Sequence, residues 1–330
     1  MKKIDFKLGI IVALLFFVAI LWRILMEKNQ EIKNLNTDIE QLSDALEKDL
    51  VTKPSKATLK KPENYQGDIA LIIDDFGYRN DEISDGFLAF KVPMTFAVIP
   101  GHRYSSLMGE LSEKFGFEVI IHMPMESHAI TEGEESFILR ENLSEIEIKN
   151  RVNKAFEQIP QAVGMNNHQG SKATESRWLM RILGTNLRQK SKYFVDSRTT
   201  KETLAEETML LLNVPTASRK VFIDNSDSPI DINRQIDQLV TFSKKQGSVL
   251  GIGHVKKNTL TVLQKRIPEL QEEGFKFVFT SSFFYCFFVL IWLSVMVSRL
   301  MSCSGPEEVG EFMSRLRHRP CAGLKGKMTK

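Results

Sequence analysis

Six apolar runs in the middle of this chain each end in residues that can hold a metal ion or move a proton. Residues 69–73 lead into Asp74 and Asp75, 119–121 into His122, and 162–165 into Asn166, Asn167 and His168. Residues 193–195 lead into Asp196, Ser197 and Arg198, 221–223 into Asp224 and Asn225, and 249–253 into His254. Adjacent carboxylates such as Asp74 and Asp75 repel unless a cation lies between them or one holds a proton. A metal ion meets that need, with one carboxylate as ligand and the other as base for water. A lone Asp-Asp pair reads more simply as a solvated turn or a helix cap. Six such ends within about two hundred residues, the size of one barrel domain, point to an active site.

Each of the remaining groups has two readings. His122 closes an apolar strand, as a core histidine does, but Glu126 follows closely and can orient its ring or join a ligand set. His168 lies among amides and glycines, which orient a ligand histidine or bind sugar hydroxyls and serve turns equally well. Asp196 and Arg198 can position a base or a substrate oxygen by charge-assisted hydrogen bonds, or form a plain ion pair. His254, flanked by Gly251 and Gly253, is suited to protonating a leaving amine. His102 follows Pro100-Gly101 at another strand end and is a candidate substrate contact. His128, in a polar loop, is a weaker one.

Short β-branched runs of this kind read as buried parallel strands. With 94–99 and 275–279 they make eight. Helical patterns alternate with them at 145–158, 178–187 and 232–242, and Ser144 with Glu147 reads as a capping box at the first. Repeated strand–helix alternation predicts a parallel α/β architecture, a distorted barrel of seven or eight strands over residues 67–282, whose chemistry sits past the C-terminal strand ends.

The flanks differ in kind. Residues 8–26 are apolar but for Arg23, and Lys2, Lys3 and Lys7 precede them, so residues 1–26 read as a membrane anchor with a cytoplasmic start. A cleaved signal peptide is the competing reading. In 27–50, Ile32, Ile39 and Leu46 recur with Leu35 and Leu42 between them, the pattern of a weak parallel two-stranded coiled coil. A single stalk helix is the alternative. Residues 51–66, with Pro54 and Pro62, read as a linker. In 283–330 an apolar stretch at 283–297 is either a second span or a buried or disordered end, and a basic tail without periodicity follows. The formal charge of +3 comes without a dense basic patch, which excludes a nucleic-acid interface. Cys286, Cys303 and Cys321 all lie late in the chain, so the central domain has no disulfide of its own.

The segments Leu71-Ile72-Ile73-Asp74-Asp75-Phe76-Gly77, Ile121-His122-Met123-Pro124-Met125-Glu126 and Asn166-Asn167-His168-Gln169-Gly170-Ser171 resemble, in order, motifs of the divergent polysaccharide deacetylase family. So do Phe194-Val195-Asp196-Ser197-Arg198-Thr199, Val221-Phe222-Ile223-Asp224-Asn225 and Gly251-Ile252-Gly253-His254. The resemblance implies a distorted barrel related to the NodB-type carbohydrate deacetylases. It implies Asp74 as base, His254 as acid, and Asp75 as ligand to a divalent metal, with zinc the first choice. The NodB-type ligand pair is two histidines four residues apart. Here Glu126 stands in the second place, so His122 and His168 would be the imidazole ligands. Asp196 and Arg198 would assist catalysis, and Asn166, Asn167, His102, Glu126 and Asp224 would contact substrate. The implied activity is deacetylation of an N-acetylated cell-envelope glycan, outside the cytoplasmic membrane. A barrel that binds a glycan or a partner without turnover, or an envelope scaffold, is the alternative.

Overall fold

The computed structural model describes residues 64–129 and 133–284, together with Arg23, Met26 and Gln30, which are helical. The chain divides into two compact units, Met1–Glu63 and Asn64–Lys330. Apart from those three positions and residues 64–66 and 283–284, the expected anchor, stalk, linker and apolar C-terminal run lie outside the described residues. Among the described residues no helix is long and apolar enough to cross a membrane.

Among the described residues nine strands build the second unit: β1 Gly67–Phe76, β2 Thr95–Val98, β3 Glu118–Met125, β4 Gly164–Gln169, β5 Tyr193–Asp196, β6 Thr216–Ser218, β7 Val221–Phe222, β8 Ser248–His254 and β9 Phe275–Val278. All pair in parallel, and eight lie in the order β6-β5-β4-β3-β2-β1-β8-β7. The ninth, β9, pairs with the first half of β1, on residues Gly67 to Ala70, while β2 takes its second half. The outermost strands β6 and β7 do not pair. Two residues between them stitch the seam instead. The Arg219 N–H donates to the Asp196 carbonyl on β5 (2.9 Å), and the Lys220 N–H donates to the Leu250 carbonyl on β8 (2.9 Å). The curled parallel sheet agrees with the expected barrel, with an open seam and one more strand. That strand, β6, is Thr216-Ala217-Ser218, too short and polar to stand out as an apolar run.

The helices are α1 Glu82–Leu88, α2 Ser105–Lys114, α3 Glu145–Gln158, α4 Arg177–Gln189, α5 Ala205–Leu211, α6 Pro229–Gln246 and α7 Lys257–Glu272. At α3 the Ser144 hydroxyl accepts from the Glu147 N–H as a cap should (3.2 Å). The reciprocal arm of the expected capping box is missing because the Glu147 carboxylate turns to Arg151 Nε (2.7 Å). The predicted 232–242 is the middle of α6, which Pro229 opens and Gly247 closes in the left-handed region (φ 84°).

Side-chain alternation along the strands decides what points where. On β1, Ile69, Leu71 and Ile73 pack in the large core, while Ala70 and Ile72 belong to a separate inner cluster. On β8, Val249 is in the large core and Leu250 and Ile252 are in the inner one. Tyr193 and Phe284 also belong to the inner cluster, with ring centroids 4.9 Å apart. The Tyr193 hydroxyl and the Ser281 N–H both donate to Glu118 Oε1 (2.9 and 3.2 Å), which ties the turn Thr280–Phe284 to the start of β3. One pleat beyond Ile72, Ile120 and Ile252 stand Asp74, His122 and His254, and Asn166 and His168 meet them from β4. The apolar interior therefore ends upward in a polar layer.

Candidate metal centre and active site

Asp75 breaks the alternation. As neighbour of the inward Asp74 it should face the helices. Instead its backbone is left-handed (φ 69°), the pairing of β1 with β2 shifts between Ile73 and Phe76, and its carboxylate returns to the inner layer. Aspartate tolerates this conformation better than most residues, and such strain persists where the surroundings enforce it. Gln169 (φ 56°) and Arg198 (φ 50°) show the same geometry at the ends of β4 and β5.

Asp75 Oδ1, His122 Nε2 and His168 Nδ1 form a triangle. Its sides are 3.5 Å from Asp75 to His122, 3.4 Å from Asp75 to His168, and 3.0 Å between the two imidazole nitrogens. Bonds of 2.0–2.1 Å in a tetrahedral zinc site set ligand atoms about 3.3 Å apart. Asp75 Oδ1 is buried and has no hydrogen-bond partner. An orphaned carboxylate oxygen facing two ring nitrogens is what a divalent cation would satisfy, so the residues fit a metal. Among the described residues these three are the only group that can converge on one ion.

Asn166 fixes the chemistry of this layer. Its Nδ2 donates to Asp74 Oδ1 (2.8 Å), and its Oδ1 faces His122 Nδ1 (2.8 Å). A carboxylate only accepts, so the amide nitrogen must face Asp74, and the amide oxygen must then accept from His122 Nδ1–H. That tautomer leaves Nε2 with a lone pair toward the triangle. Burial pushes Asp74 above the ordinary carboxylate value, against the pull of His122 and His254. Burial also acts upward on Asp75, but the two imidazoles override it and hold the carboxyl well below the usual range. In the metal-free site burial pulls His122 down, yet Asp74 and Asp75 outweigh it and push it up to about 9.

His254 stands opposite Asp74 in the register of β1 and β8. Its Nδ1 faces Asp224 Oδ1 (2.8 Å), and its backbone N–H donates to Asp224 Oδ2 (2.7 Å). The Thr259 hydroxyl also donates to Asp224 Oδ2 (2.7 Å). Burial opposes the charge on His254, but Asp224 dominates and raises its pKa. The remaining nitrogen, Nε2, is left for the cleft that His254 lines. This cleft holds about 420 Å³ and is also walled by Asp74, His122, His168, Arg219 and Phe222.

Several expected contacts lie elsewhere. Asp224 is fully buried behind His254, so it reaches no substrate and acts on the ring instead. Asn166 and Asn167 are likewise buried, although Asn167 lines the cleft. Asn166 bridges Asp74 and His122, and Asn167 Oδ1 accepts from the Ser197 N–H (2.8 Å). Glu126 neither orients His122 nor joins the triangle, because it pairs with Lys172 Nζ (2.7 Å) and accepts from the Glu141 N–H (3.0 Å). His102 is held by Glu134 Oε1 (2.8 Å), beside the Tyr78 ring. His128 pairs with Glu175 (2.9 Å). Asp196 and Arg198 form no side-chain ion pair. The Asp196 carboxylate accepts from the Arg198 backbone N–H (2.8 Å) and the Thr203 hydroxyl (2.9 Å). Arg219 lacked any sequence signal. Its guanidinium donates to the Ser197 and Arg198 carbonyls (2.6 and 3.0 Å) and stacks 4.7 Å from the Phe222 ring centroid.

The divergent polysaccharide deacetylase family matches residues 71–284, from within β1 to Phe284. The chain belongs to that family. An uncharacterized protein of Haemophilus influenzae is 34% identical over 208 residues, which are 63% of this chain and 74% of that protein. The uncharacterized protein YibQ of Escherichia coli is 34% identical over 204 residues, which are 62% of this chain and 63% of that protein. The crystal structure of the uncharacterized protein ATU2773 from Agrobacterium tumefaciens shares the fold at a TM-score of 0.62 and 15% identity, covering 67% of this chain and 92% of that one.

In this member of the family the strand register answers the missing second histidine. His122 on β3 pairs with Asn166 on β4, which puts His168 one pleat further along the neighbouring strand. The two imidazoles meet with ring centroids 4.8 Å apart. Adjacent strands thus bring two imidazoles together, where the NodB-type pattern that the sequence resembles has a pair four residues apart.

Proposed function

We propose that the barrel is a metal-dependent hydrolase that removes acetyl groups from an N-acetylated cell-envelope glycan. One observation carries the reading: the triangle around the orphaned Asp75 oxygen lies against a buried carboxylate, Asp74, whose register neighbour His254 has its pKa raised by an aspartate. Asp75, His122 and His168 would hold the cation, and two nitrogens with one carboxylate suit zinc. A cation there supplies a Lewis acid that polarises an amide carbonyl and acidifies water. Asp74, raised by burial and aimed by Asn166, accepts the proton of the attacking water. His254, protonated through Asp224, donates its proton to the departing amine. The C–N bond breaks, acetate carries the new C–O bond, and the sugar leaves with a free amine. A base for the attacking water and an acid for the leaving amine are what amide hydrolysis requires.

The test is a cross of variants on the full-length chain. Ala at Asp75, His122 or His168 should lower bound metal and acetate release together. Asp74→Asn and His254→Ala should keep the metal and lose on the order of 10²–10⁴ in rate. A metal-loaded wild type that releases no acetate from any acetylated envelope glycan refutes hydrolysis. The same reading puts the barrel across the membrane from a cytoplasmic N-terminus, on the strength of Lys2, Lys3 and Lys7 before residues 8–26. Protease added to intact spheroplasts should digest the barrel, and protection until lysis refutes that topology.

A further inference from the structure

Two arginines line the cleft, Arg198 and Arg219. Arg140, Arg151, Arg177 and Arg266 all have carboxylate partners. The cleft pair does not. Arg219 spends its donors on the Ser197 and Arg198 carbonyls and leans on Phe222. Among the described residues the Arg198 guanidinium has no hydrogen bond or ion pair. The reason is local. Asp196, two residues before it, gives its carboxylate to the Arg198 backbone N–H and to Thr203, and the left-handed turn at Arg198 leaves its side chain exposed. The acid two residues away therefore gives its hydrogen bonds to other donors and makes none to the guanidinium. Asp74 accepts from Asn166, and Asp74 and Asp75 both face the imidazoles of the triangle. A neutral acetamido sugar needs no such cation. Phe222 connects the two parts of the wall, its ring 5.1 Å from His254 on one side and 4.7 Å from the Arg219 guanidinium on the other.

We propose that Arg198, backed by Arg219, binds a carboxylate of the substrate, so that the glycan taken by this site is an acidic acetamido sugar polymer. The inference rests on the hydrolase reading above and names its substrate class. A guanidinium presents paired N–H donors in the spacing of a carboxylate, and such charge-assisted bonds are the strong ones. Phe222 offers an apolar face for the sugar ring that spans from the arginines to the acid.

The test is titration of the zinc-loaded full-length chain with an N-acetylated oligosaccharide bearing uronic or muramic carboxylates, and with the same oligosaccharide after its carboxylates are reduced to alcohols. Bound fraction and released acetate are read in parallel. The acidic form should bind about tenfold more tightly. That preference should shrink severalfold in Arg198→Gln and return in part in Arg198→Lys, which keeps the charge and loses the fork. Equal binding of both forms by the wild type overturns the inference. So does full preference in Arg198→Gln, because the cation would then be holding the carboxylate. Acetate released from both forms without preference refutes the acidic substrate alone. A persistent preference with no acetate from either form refutes hydrolysis and leaves the carboxylate site standing.

Discussion

Replacing Asp224 by Asn tests the acid end of the site more sharply than removing His254. Asp224 accepts three donors at 2.7–2.8 Å: His254 Nδ1–H, the His254 backbone N–H and the Thr259 hydroxyl. A carboxylate has only acceptors, so all three are satisfied at once. An amide of the same shape has one acceptor oxygen and one donor nitrogen. If its nitrogen faces the backbone N–H of His254, two donors oppose each other in a buried site, at a cost of about 1–3 kcal/mol. If its nitrogen faces the ring, Nδ1 must become an acceptor and the proton moves to Nε2, so the imidazole can no longer be charged. Either arrangement removes the negative charge that raises the His254 pKa. The rate should therefore fall by on the order of 10²–10⁴, as for loss of a general acid. The sign of the pH effect follows. His254 acts protonated, its folded pKa is raised, and removing the cause lowers it, so the alkaline limb of the kcat profile should move to lower pH. Asp224 is not in the metal triangle, so metal content should stay at wild-type level. Acetate release across pH 5–9, with metal analysis of the same samples, is the assay. A variant with unchanged kcat and an unmoved alkaline limb refutes His254 as the acid.

Metal affinity should rise with pH, because His122 in the metal-free site is protonated up to about 9 and the cation must displace that proton. Competition titrations between pH 7 and 8.5 should show the dissociation constant falling by about tenfold per unit, and a flat profile refutes the ligand role of His122. Phe284→Ala removes a 3% exposed ring from the inner cluster and should cost about 3–5 kcal/mol in denaturant unfolding, with metal content per folded chain unchanged. An unmoved midpoint refutes Phe284 as a structural part of the barrel.

The candidate site divides by the distance over which its parts act. His122 is held by Asn166, and His254 by Asp224, each through Nδ1 at 2.8 Å from an oxygen of a side chain on another element. The consequences differ because the partners differ. A neutral amide oxygen fixes a tautomer and leaves a lone pair for a cation. A buried carboxylate raises the pKa and so favours the protonated ring. In the proposed mechanism two imidazoles of the same sheet thereby take opposite tasks, ligand and acid, from the residue behind each.

The sequence by itself determined the parallel α/β class and the strand ends, because apolar runs broken by acids, amides and histidines are a local signal. It also determined the parity that turns Asp74, His122, Asn166, His168 and His254 inward, since a strand repeats every two residues. Only the tertiary structure decided what these groups meet. Asn166 reaches Asp74 across 92 residues of chain, and Asp224 reaches His254 across 30. Sheet order sets both encounters, and no local period encodes sheet order. Asp75 reaches the two imidazoles only because its backbone turns left-handed against the alternation. Glu126, four residues after His122, looked like a ligand partner, yet Lys172 and the Glu141 backbone take it. Asp196 and Arg198 read as an ion pair in one dimension. In three, the shorter reach to a backbone N–H wins and leaves the guanidinium to the cleft.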